Sequence, residues 1–310
     1  PVAASTMTDS DLKNYRVAER PVAVRCIGKN IFYSMSAPAS GAYTLAAVTN
    51  APQSASEDSF FKASLAAQQQ SFIQREKTLE DPDWNWVKKN QSVPEKSSAH
   101  ESENTTHVSI VDVEGNIVSY TASVEMSMGS ALFVQGRGFI LNNELTDFTP
   151  IPKRVNAVEQ GKRGRVTALN AEARETVGGK RPNSSMSPLI FEREDGTFFA
   201  LGSPGGPTIV GVNALVAARL LRREELAAAV LAPRAIAMPS GHIIAELVIK
   251  QNRELVEALH RSGFPIDTTR KIISLGSVQA VSFNPKTNTY RAVSDLRREG
   301  LALVAKPKVD

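Results

Sequence analysis

The sequence predicts an α+β fold in which antiparallel sheets are layered with helices. Strand-like runs occur as pairs joined by short turns, and three such turns lie at 114–116, 194–196 and 285–288. Helical patterns lie before and after these pairs instead of between successive strands. This order favours antiparallel sheets between helices over a doubly wound parallel sheet.

In the first third of the chain, the patterns predict a short helix, a hairpin and two longer helices. Thr8, with Asp11 three places on, resembles a helix-capping box. The predicted elements are a helix at 6–16, strands at 22–27 and 30–35, a helix beginning after 38–41, and a helix at 57–79. The Pro, Ser, Lys and Glu-rich stretch at 81–103 is predicted to be a linker.

In the remainder of the chain, three strand pairs accompany a buried helix. The predicted strands are 107–113 with 117–124, 189–191 with 197–201, and 278–283 with 290–293. An apolar helix is predicted at 208–221, and further helix and strand at 226–232, 247–262 and 272–275. The polar, Gly-punctuated stretch at 153–181 is predicted to be a surface insertion.

Composition excludes several classes of protein. The 310 residues are 42% hydrophobic and 22% charged with a formal net charge of +4, which is ordinary for a globular protein with a substantial core. No run approaches the roughly 20 apolar residues of a membrane span. Basic residues are dispersed apart from short clusters such as Lys162–Arg165, so no nucleic-acid partner is expected.

Cysteine and histidine usage argues against a disulfide and against a metal site. The single cysteine, Cys26, excludes an intramolecular disulfide and a multi-cysteine zinc site, and its alternating run predicts a buried strand thiol. The four histidines show no metal-ligand spacing. His107, beside a strand start, is expected to be structural. We therefore predict no metal and no organic cofactor.

Thr105 is the candidate catalytic residue. The polar stretch 97–103 stops abruptly at Asn104-Thr105, where an apolar strand begins. This layout is expected of a precursor whose bond before Thr105 is cut. A threonine hydroxyl needs a base to become a nucleophile, and its own freed α-amine, with a pKa of roughly 8, can serve. The alternative is an ordinary strand start, since threonine is a good strand former.

Five short motifs in one order carry a family resemblance. They are Asn-Thr-Thr-His-Val-Ser-Ile-Val-Asp at 104–112, Gly-Asn at 115–116, Leu-Asn-Asn-Glu-Leu-Thr-Asp-Phe at 141–148, Lys-Arg-Pro-Asn-Ser-Ser-Met-Ser-Pro at 180–188 and Gly-Ser-Pro-Gly-Gly at 202–206. Each is also typical of ordinary turns and caps, but together they resemble the γ-glutamyltranspeptidase family of N-terminal nucleophile hydrolases. The resemblance covers essentially 105–300 except an insertion near 163–180.

The resemblance implies a four-layer αββα sandwich with antiparallel sheets, here lacking much of the large subunit. It implies a cleavage site between Asn104 and Thr105 that yields two associated subunits. Residues 1–104 would be the last part of the large subunit, ending in a flexible linker. Residues 105–310 would be the small, catalytic subunit. Family members are typically periplasmic, secreted or outward-facing, so such a location is expected.

The resemblance also implies site roles. Thr105 would attack the γ-glutamyl amide, Ser123 would hydrogen-bond that nucleophile, and Gly205 and Gly206 would offer backbone N–H groups to the oxyanion. Ser184 and Ser185 would bind the substrate α-carboxylate. Glu144 and Asp147 would hold its α-ammonium group.

Two departures from the family pattern concern the substrate. Glu125 stands where well-known members carry an asparagine, which adds negative charge beside Glu144 and Asp147 and favours either a more cationic ligand or a raised carboxyl pKa. The arginine that the family's large subunit supplies to the α-carboxylate has no counterpart motif in residues 1–104.

The sequence is therefore consistent with three functions. The first is a self-processing transferase and hydrolase that acts on glutathione or similar γ-glutamyl amides, with water or an amine as acceptor. The second is an amidase or acylase of the same superfamily with another acyl substrate. The third is an inactive, truncated member of the fold.

Overall fold

The computed structural model describes residues 9–51, 56–82, 104–148, 156, 181–238, 241–266, 272 and 274–305. The predicted linker and insertion lie almost entirely outside these residues. The helices are α1 (Asp9–Asn14), α2 (Gly41–Thr49), α3 (Glu57–Thr78), α4 (Ile209–Leu221), α5 (Leu226–Leu231), α6 (Leu247–Gln251) and α7 (Arg253–Arg261). The strands are β1 (Ala23–Ile27), β2 (Asn30–Ser34), β3 (Thr105–Val111), β4 (Ile117–Ser123), β5 (Phe133–Val134), β6 (Phe139–Ile140), β7 (Leu189–Glu192), β8 (Phe198–Gly202), β9 (Ala235–Ala237), β10 (Ile243–Ala245), β11 (Gln279–Asn284) and β12 (Thr289–Ser294).

The central element is a six-stranded antiparallel sheet with the order β1-β2-β7-β8-β11-β12. Phe32, Phe191 and Phe199 occupy paired positions on three adjacent strands, and their rings stack with centroids 4.5 and 4.6 Å apart. They form one core with apolar residues of α2 and α4. Burial of these large side chains holds the helices on this face of the sheet.

The β3–β4 hairpin forms a second sheet layer over the opposite face, above β8 and β11. Ser109 Oγ donates to the Gln279 carbonyl at 3.0 Å, and Ser119 Oγ donates to the Leu201 carbonyl at 3.1 Å. The outer face of the hairpin bears four apolar side chains that are 43 to 58% exposed: Val108, Ile110, Val118 and Tyr120. The helices, the six-stranded sheet and this hairpin confirm the predicted antiparallel α+β class.

Most predicted elements are confirmed, including the short first helix, the helices α2 to α5 and all four predicted hairpins. Two predictions were wrong in detail. The helix expected at 247–262 is divided into α6 and α7 at Asn252, whose side chain accepts from Leu255 N at 3.1 Å and so caps α7. The described residues among 272–275 form no strand.

The prediction of a buried Cys26 was also wrong, because the thiol is exposed. Cys26 pairs with Ile31 on the sheet face opposite the phenylalanine stack, and β1 is an edge strand. The covering hairpin lies over β8 and β11, away from this edge. Alternation along a strand predicts which residues share a face, but not how far the next layer extends.

Neither a membrane-spanning helix nor a metal-binding cluster occurs among the described residues. No helix within them is long and apolar enough to cross a membrane. No group of three or more His, Cys, Asp or Glu side chains within the same ranges could hold a metal ion.

Candidate active site

Thr105 lies at the first position of β3, directly opposite Ser123 of β4. Its Oγ1 donates to Ser123 Oγ at 3.2 Å, and that oxygen also accepts from Glu125 N at 2.9 Å. The Asn104 carbonyl accepts from Val124 N at 3.4 Å. The hairpin ladder therefore fixes both the candidate nucleophile and the carbonyl group of the predicted cleavage site.

His107 anchors the same strand to the central sheet. Its ring lies over Gly202, where an added Cβ would come 2.3 Å from His107 Cε1. Nε2 is 2.9 Å from Ser109 Oγ, whose proton is donated to a carbonyl, so Nε2 carries the imidazole proton. Nδ1 then accepts from Thr121 Oγ1 at 2.8 Å. Burial lowers the pKa of His107 from 6.5 to about 4, so the ring is neutral and structural at pH 7.

Gly205 and Gly206 form the turn between β8 and α4. Their φ angles of 136° and 54° lie in the region that side-chain-bearing residues rarely adopt. Thr208 Oγ1 donates to the Gly205 carbonyl at 2.8 Å. Within the described residues, neither glycine N–H donates to a protein acceptor. Two such amides before the first turn of a helix suit a developing negative charge.

The nucleophile and the glycine turn approach one cleft. Thr105 and Pro204 both line a cavity of about 340 Å³, whose far wall includes residues 298–303. Two hydrogen bonds stabilise the glycine turn. Ser203 Oγ accepts from Ser277 N at 2.8 Å and donates to the Pro204 carbonyl at 2.6 Å. Gly205 and Gly206 stand beside this lining and do not form part of it.

A buried ion-pair cluster holds the segment that supports this turn. Arg234 pairs with Asp295 at 2.6 Å and donates to the Leu275 carbonyl at 2.7 Å. Arg297 Nη2 donates to Glu246 at 2.7 Å. Burial lowers the pKa of Arg234, although Asp295 opposes that effect. Gly276, next to Leu275, packs against Pro204 and Gly205.

The three predicted carboxylates follow β4 and a neighbouring turn. Glu125 is buried and adopts a φ of 69°, which is uncommon for a side-chain-bearing residue and typical of functional turns. Asn143 Oδ1 accepts from Met126 N at 2.9 Å, so the Glu125 turn lies beside the 3₁₀ turn Glu144–Asp147. Glu144 Oε1 is shielded from solvent without a hydrogen-bond partner among the described residues.

Ser184 and Ser185 are held by the segment before α2. Ser184 N donates to the Pro38 carbonyl at 2.9 Å, and Ser40 N donates to the Met186 carbonyl at 3.1 Å. Ser185 is buried, and its Oγ accepts from Arg75 Nη2 of α3 at 3.0 Å. Both serines therefore lie on one backbone segment, 184–186, that is fixed from two sides and is called the serine segment below.

Sequence reasoning missed two residues that organise this site. Asn156 Nδ2 donates to the Asp147 carbonyl at 2.7 Å while its Oδ1 accepts from Asn183 N at 2.9 Å, which joins the carboxylate turn to the serine segment. No pattern marked Asn156, since it lies in the predicted insertion. Arg75 could have been noticed as a charged residue three positions after Phe72, on the buried stripe of α3.

The structure thus brings Thr105 and Ser123 into direct contact, and Pro204, which precedes the glycine turn, lines the same cavity as Thr105. A hydrogen bond between Met126 and Asn143 connects the Glu125 turn to the Glu144–Asp147 turn. Asn156 in turn connects the Glu144–Asp147 turn to Asn183, which precedes the serine segment. These are the connections expected of one continuous site.

Comparisons with known proteins show the family of the chain. The family profile described as Gamma-glutamyltranspeptidase matches residues 49–305. A glutathione hydrolase proenzyme of Bacillus subtilis is 32% identical over 200 residues, which cover 64% of this chain and 30% of that protein. The chain thus spans under a third of that relative's length.

Two solved structures have the same fold as this chain. A γ-glutamyltranspeptidase mutant from Pseudomonas nitroreducens is 32% identical and superposes with a TM-score of 0.51, covering 65% of this chain and 100% of the crystallised one. A cephalosporin acylase from Bacillus halodurans superposes over 97% of this chain and 56% of its own with a TM-score of 0.74 at 18% identity, which shows the N-terminal nucleophile hydrolase fold alone. The chain belongs to the γ-glutamyltranspeptidase family.

Proposed function

We propose that this chain carries the catalytic part of a self-processing γ-glutamyl hydrolase and transferase. The observation that carries the proposal is the 3.2 Å hydrogen bond from Thr105 Oγ1 to Ser123 Oγ, made at the first residue of a strand. A hydroxyl held at a strand end, with a nearby amine as base, is the arrangement required of an N-terminal threonine nucleophile.

Maturation begins with attack of Thr105 Oγ1 on the carbonyl carbon of Asn104. The bond from that carbon to Thr105 N breaks as an ester to Oγ1 forms, and water then hydrolyses the ester. The Val124 N–H, 3.4 Å from the Asn104 oxygen, polarises the carbonyl during this step. The products are a chain that ends at Asn104 and a chain that begins with a free threonine amine.

The two products stay associated because one sheet includes strands from both. β1 and β2 precede the cleavage site, whereas β7, β8, β11 and β12 follow it. Strand β2 pairs with β7 over four residue positions, from Ile31 opposite Glu192 to Ser34 opposite Leu189. We accordingly divide the chain into 1–104 and 105–310, with an insertion near 163–180 in the second part.

In turnover, the α-amine of Thr105 takes the hydroxyl proton while Oγ1 attacks the γ-carbonyl carbon of the substrate. The oxyanion receives hydrogen bonds from the N–H groups of Gly205 and Gly206. The leaving amine departs with a proton and leaves an acyl-enzyme, which water hydrolyses or an acceptor amine captures. Loss of one oxyanion donor typically costs about 3 kcal/mol of transition-state stabilisation.

Charge recognition orients the glutamyl group. Ser184 and Ser185 receive the α-carboxylate, while Glu144 and Asp147 hold the α-ammonium, with Glu125 beside them. The proposal needs no metal or organic cofactor. Glutathione and similar γ-glutamyl amides are the proposed substrates, and the resemblance alone supports a periplasmic or secreted location.

Hydrolysis of L-γ-glutamyl-p-nitroanilide tests the proposal. Thr105→Ala should abolish release of p-nitroaniline, because the variant lacks the attacking oxygen. Thr289→Ala is the matched control, since Thr289 is exposed on β12 and does not line the cavity beside Thr105, and it should retain activity. Equal turnover by wild type and Thr105→Ala would refute Thr105 as the nucleophile.

A second candidate, an acylase with a different acyl group, is favoured by Glu125. A buried carboxylate in place of the family's asparagine changes the charge around the bound amine. A panel of p-nitroanilides with γ-glutamyl, glutaryl and lysyl acyl groups separates the two functions. Preference for glutaryl or lysyl over γ-glutamyl substrates would favour this second candidate.

A further inference from the structure

Arg75 is a buried cation directly behind the serine segment. It lies in the last turn of α3 and is 7% exposed. Its guanidinium donates in two directions, from Nε to Ser40 Oγ at 2.8 Å and from Nη2 to Ser185 Oγ at 3.0 Å. Ser40 in turn donates to the Ser184 carbonyl at 2.5 Å. Arg75 therefore contacts Ser185 directly and is connected to Ser184 through Ser40.

These contacts determine the direction of the hydroxyl groups. Arginine has five N–H donors and no acceptor, so both serine oxygens must accept from it. The single proton of Ser185 is consequently directed away from Arg75. A hydroxyl that accepts from a charged donor is also polarised, which makes its own proton a stronger donor to an anion.

We propose that Arg75 is a positioning residue that orients the Ser185 hydroxyl and fixes the Ser184 segment for the α-carboxylate of the substrate. This inference rests on the proposed γ-glutamyl function. It accounts for how two uncharged serines bind a carboxylate firmly, since the guanidinium adds positive potential without touching the substrate. The arginine acts through the two serines and is not itself a catalytic residue.

The test is a double-mutant cycle on processed enzyme, with L-γ-glutamyl-p-nitroanilide as substrate. Arg75→Gln should raise KM about tenfold and leave kcat within about threefold, because the lost interaction serves binding. Arg75→Lys, which keeps the charge but not the fork, should give an intermediate KM. In the Ser185→Ala background, Arg75→Gln should raise KM by a smaller factor than in wild type, because the Ser185 part of the effect is already lost and only the contact through Ser40 to Ser184 remains.

Arg219→Gln is the matched control for loss of a buried arginine. Arg219 also contacts α3, but at Glu57, which is 18 positions and about 27 Å along the helix from Arg75. The Arg219→Gln variant should have a lower Tm than wild type and an unchanged KM. Should Arg75→Gln fail to fold, Arg75→Lys completes the cycle with Ser185→Ala.

The outcomes separate the two proposals. Additive effects of the Arg75 and Ser185 substitutions on KM would overturn the role of Arg75. An unchanged KM with a lowered Tm in Arg75→Gln would overturn it as well. In both cases, turnover by the wild type would still support the enzyme function. Wild-type protein that is cleaved yet releases no p-nitroaniline would overturn the γ-glutamyl function and this inference with it.

Discussion

Lowering the pH should destabilise the fold through His107. The folded protein holds the pKa of this imidazole at about 4 instead of 6.5, because burial disfavours the charged ring. At 1.36 kcal/mol for each pKa unit, the difference corresponds to about 3 kcal/mol of unfolding free energy. Protonation of this one buried side chain would thus remove a large fraction of the stability of a typical domain.

The direction follows from proton binding. The folded state binds the His107 proton more weakly than the unfolded chain does, so the unfolded state takes up more protons as pH falls below 6.5. The His107 contribution to stability is complete above pH 6.5 and is lost progressively down to about pH 4. Acidic groups titrate near the lower end of this window, so a variant is needed to isolate the histidine.

Urea unfolding of wild type and His107→Gln, measured by far-UV circular dichroism between pH 4 and 8, isolates the contribution of the histidine. His107→Gln should be less stable at pH 7, because it loses the hydrogen bonds to Ser109 and Thr121. The stability difference between the two proteins should narrow by about 3 kcal/mol on acidification. A difference that stays constant across this range would refute a neutral, buried His107.

Three further predictions concern the site and its support. Arg234→Met should lower the free energy of unfolding by about 2 to 3 kcal/mol, because it removes one of the two arginines that pair with buried Asp295 and leaves Arg297 as the remaining partner. The exposed pair of Arg291 with Glu225 should contribute less than about 1 kcal/mol. Thermal denaturation of Arg234→Met and Arg291→Gln measures both effects. Gly205→Ala should reduce kcat for p-nitroanilide hydrolysis about 100-fold by moving an oxyanion donor, while Gly263→Ala, which also has positive φ but open space at Cβ, should alter only stability. Glu125→Asn should shift the ratio of kcat/KM values towards γ-glutamyl over lysyl anilides, and an unchanged ratio would show that Glu125 does not select the substrate.

The local patterns predicted the strands and helices well because each has a visible period and a turn or cap at its ends. β3 and β4 were recognisable from apolar alternation around Gly115, and α4 from its continuous apolar run after the glycine turn. The Thr105 and Ser123 pairing is itself a product of hairpin register, since 105 and 123 lie opposite each other across that turn.

Contacts between residues far apart in the chain could not be predicted from local sequence patterns. Cys26 is exposed because the second sheet layer does not reach β1, and no local pattern encodes the width of that layer. The contact of Arg75 with Ser185 joins residues 110 positions apart and depends on how α3 packs behind the serine segment. The link that Asn156 makes between Asp147 and Asn183 likewise arises only from the tertiary structure.

The intact mass of the purified protein tests the central claim most directly. If Thr105 is a self-generated nucleophile, wild-type protein should yield two species whose masses correspond to cleavage between Asn104 and Thr105, and Thr105→Ala should remain one species. Cleavage of Thr105→Ala at the same bond, or a wild-type protein that stays intact while hydrolysing γ-glutamyl-p-nitroanilide, would contradict the account.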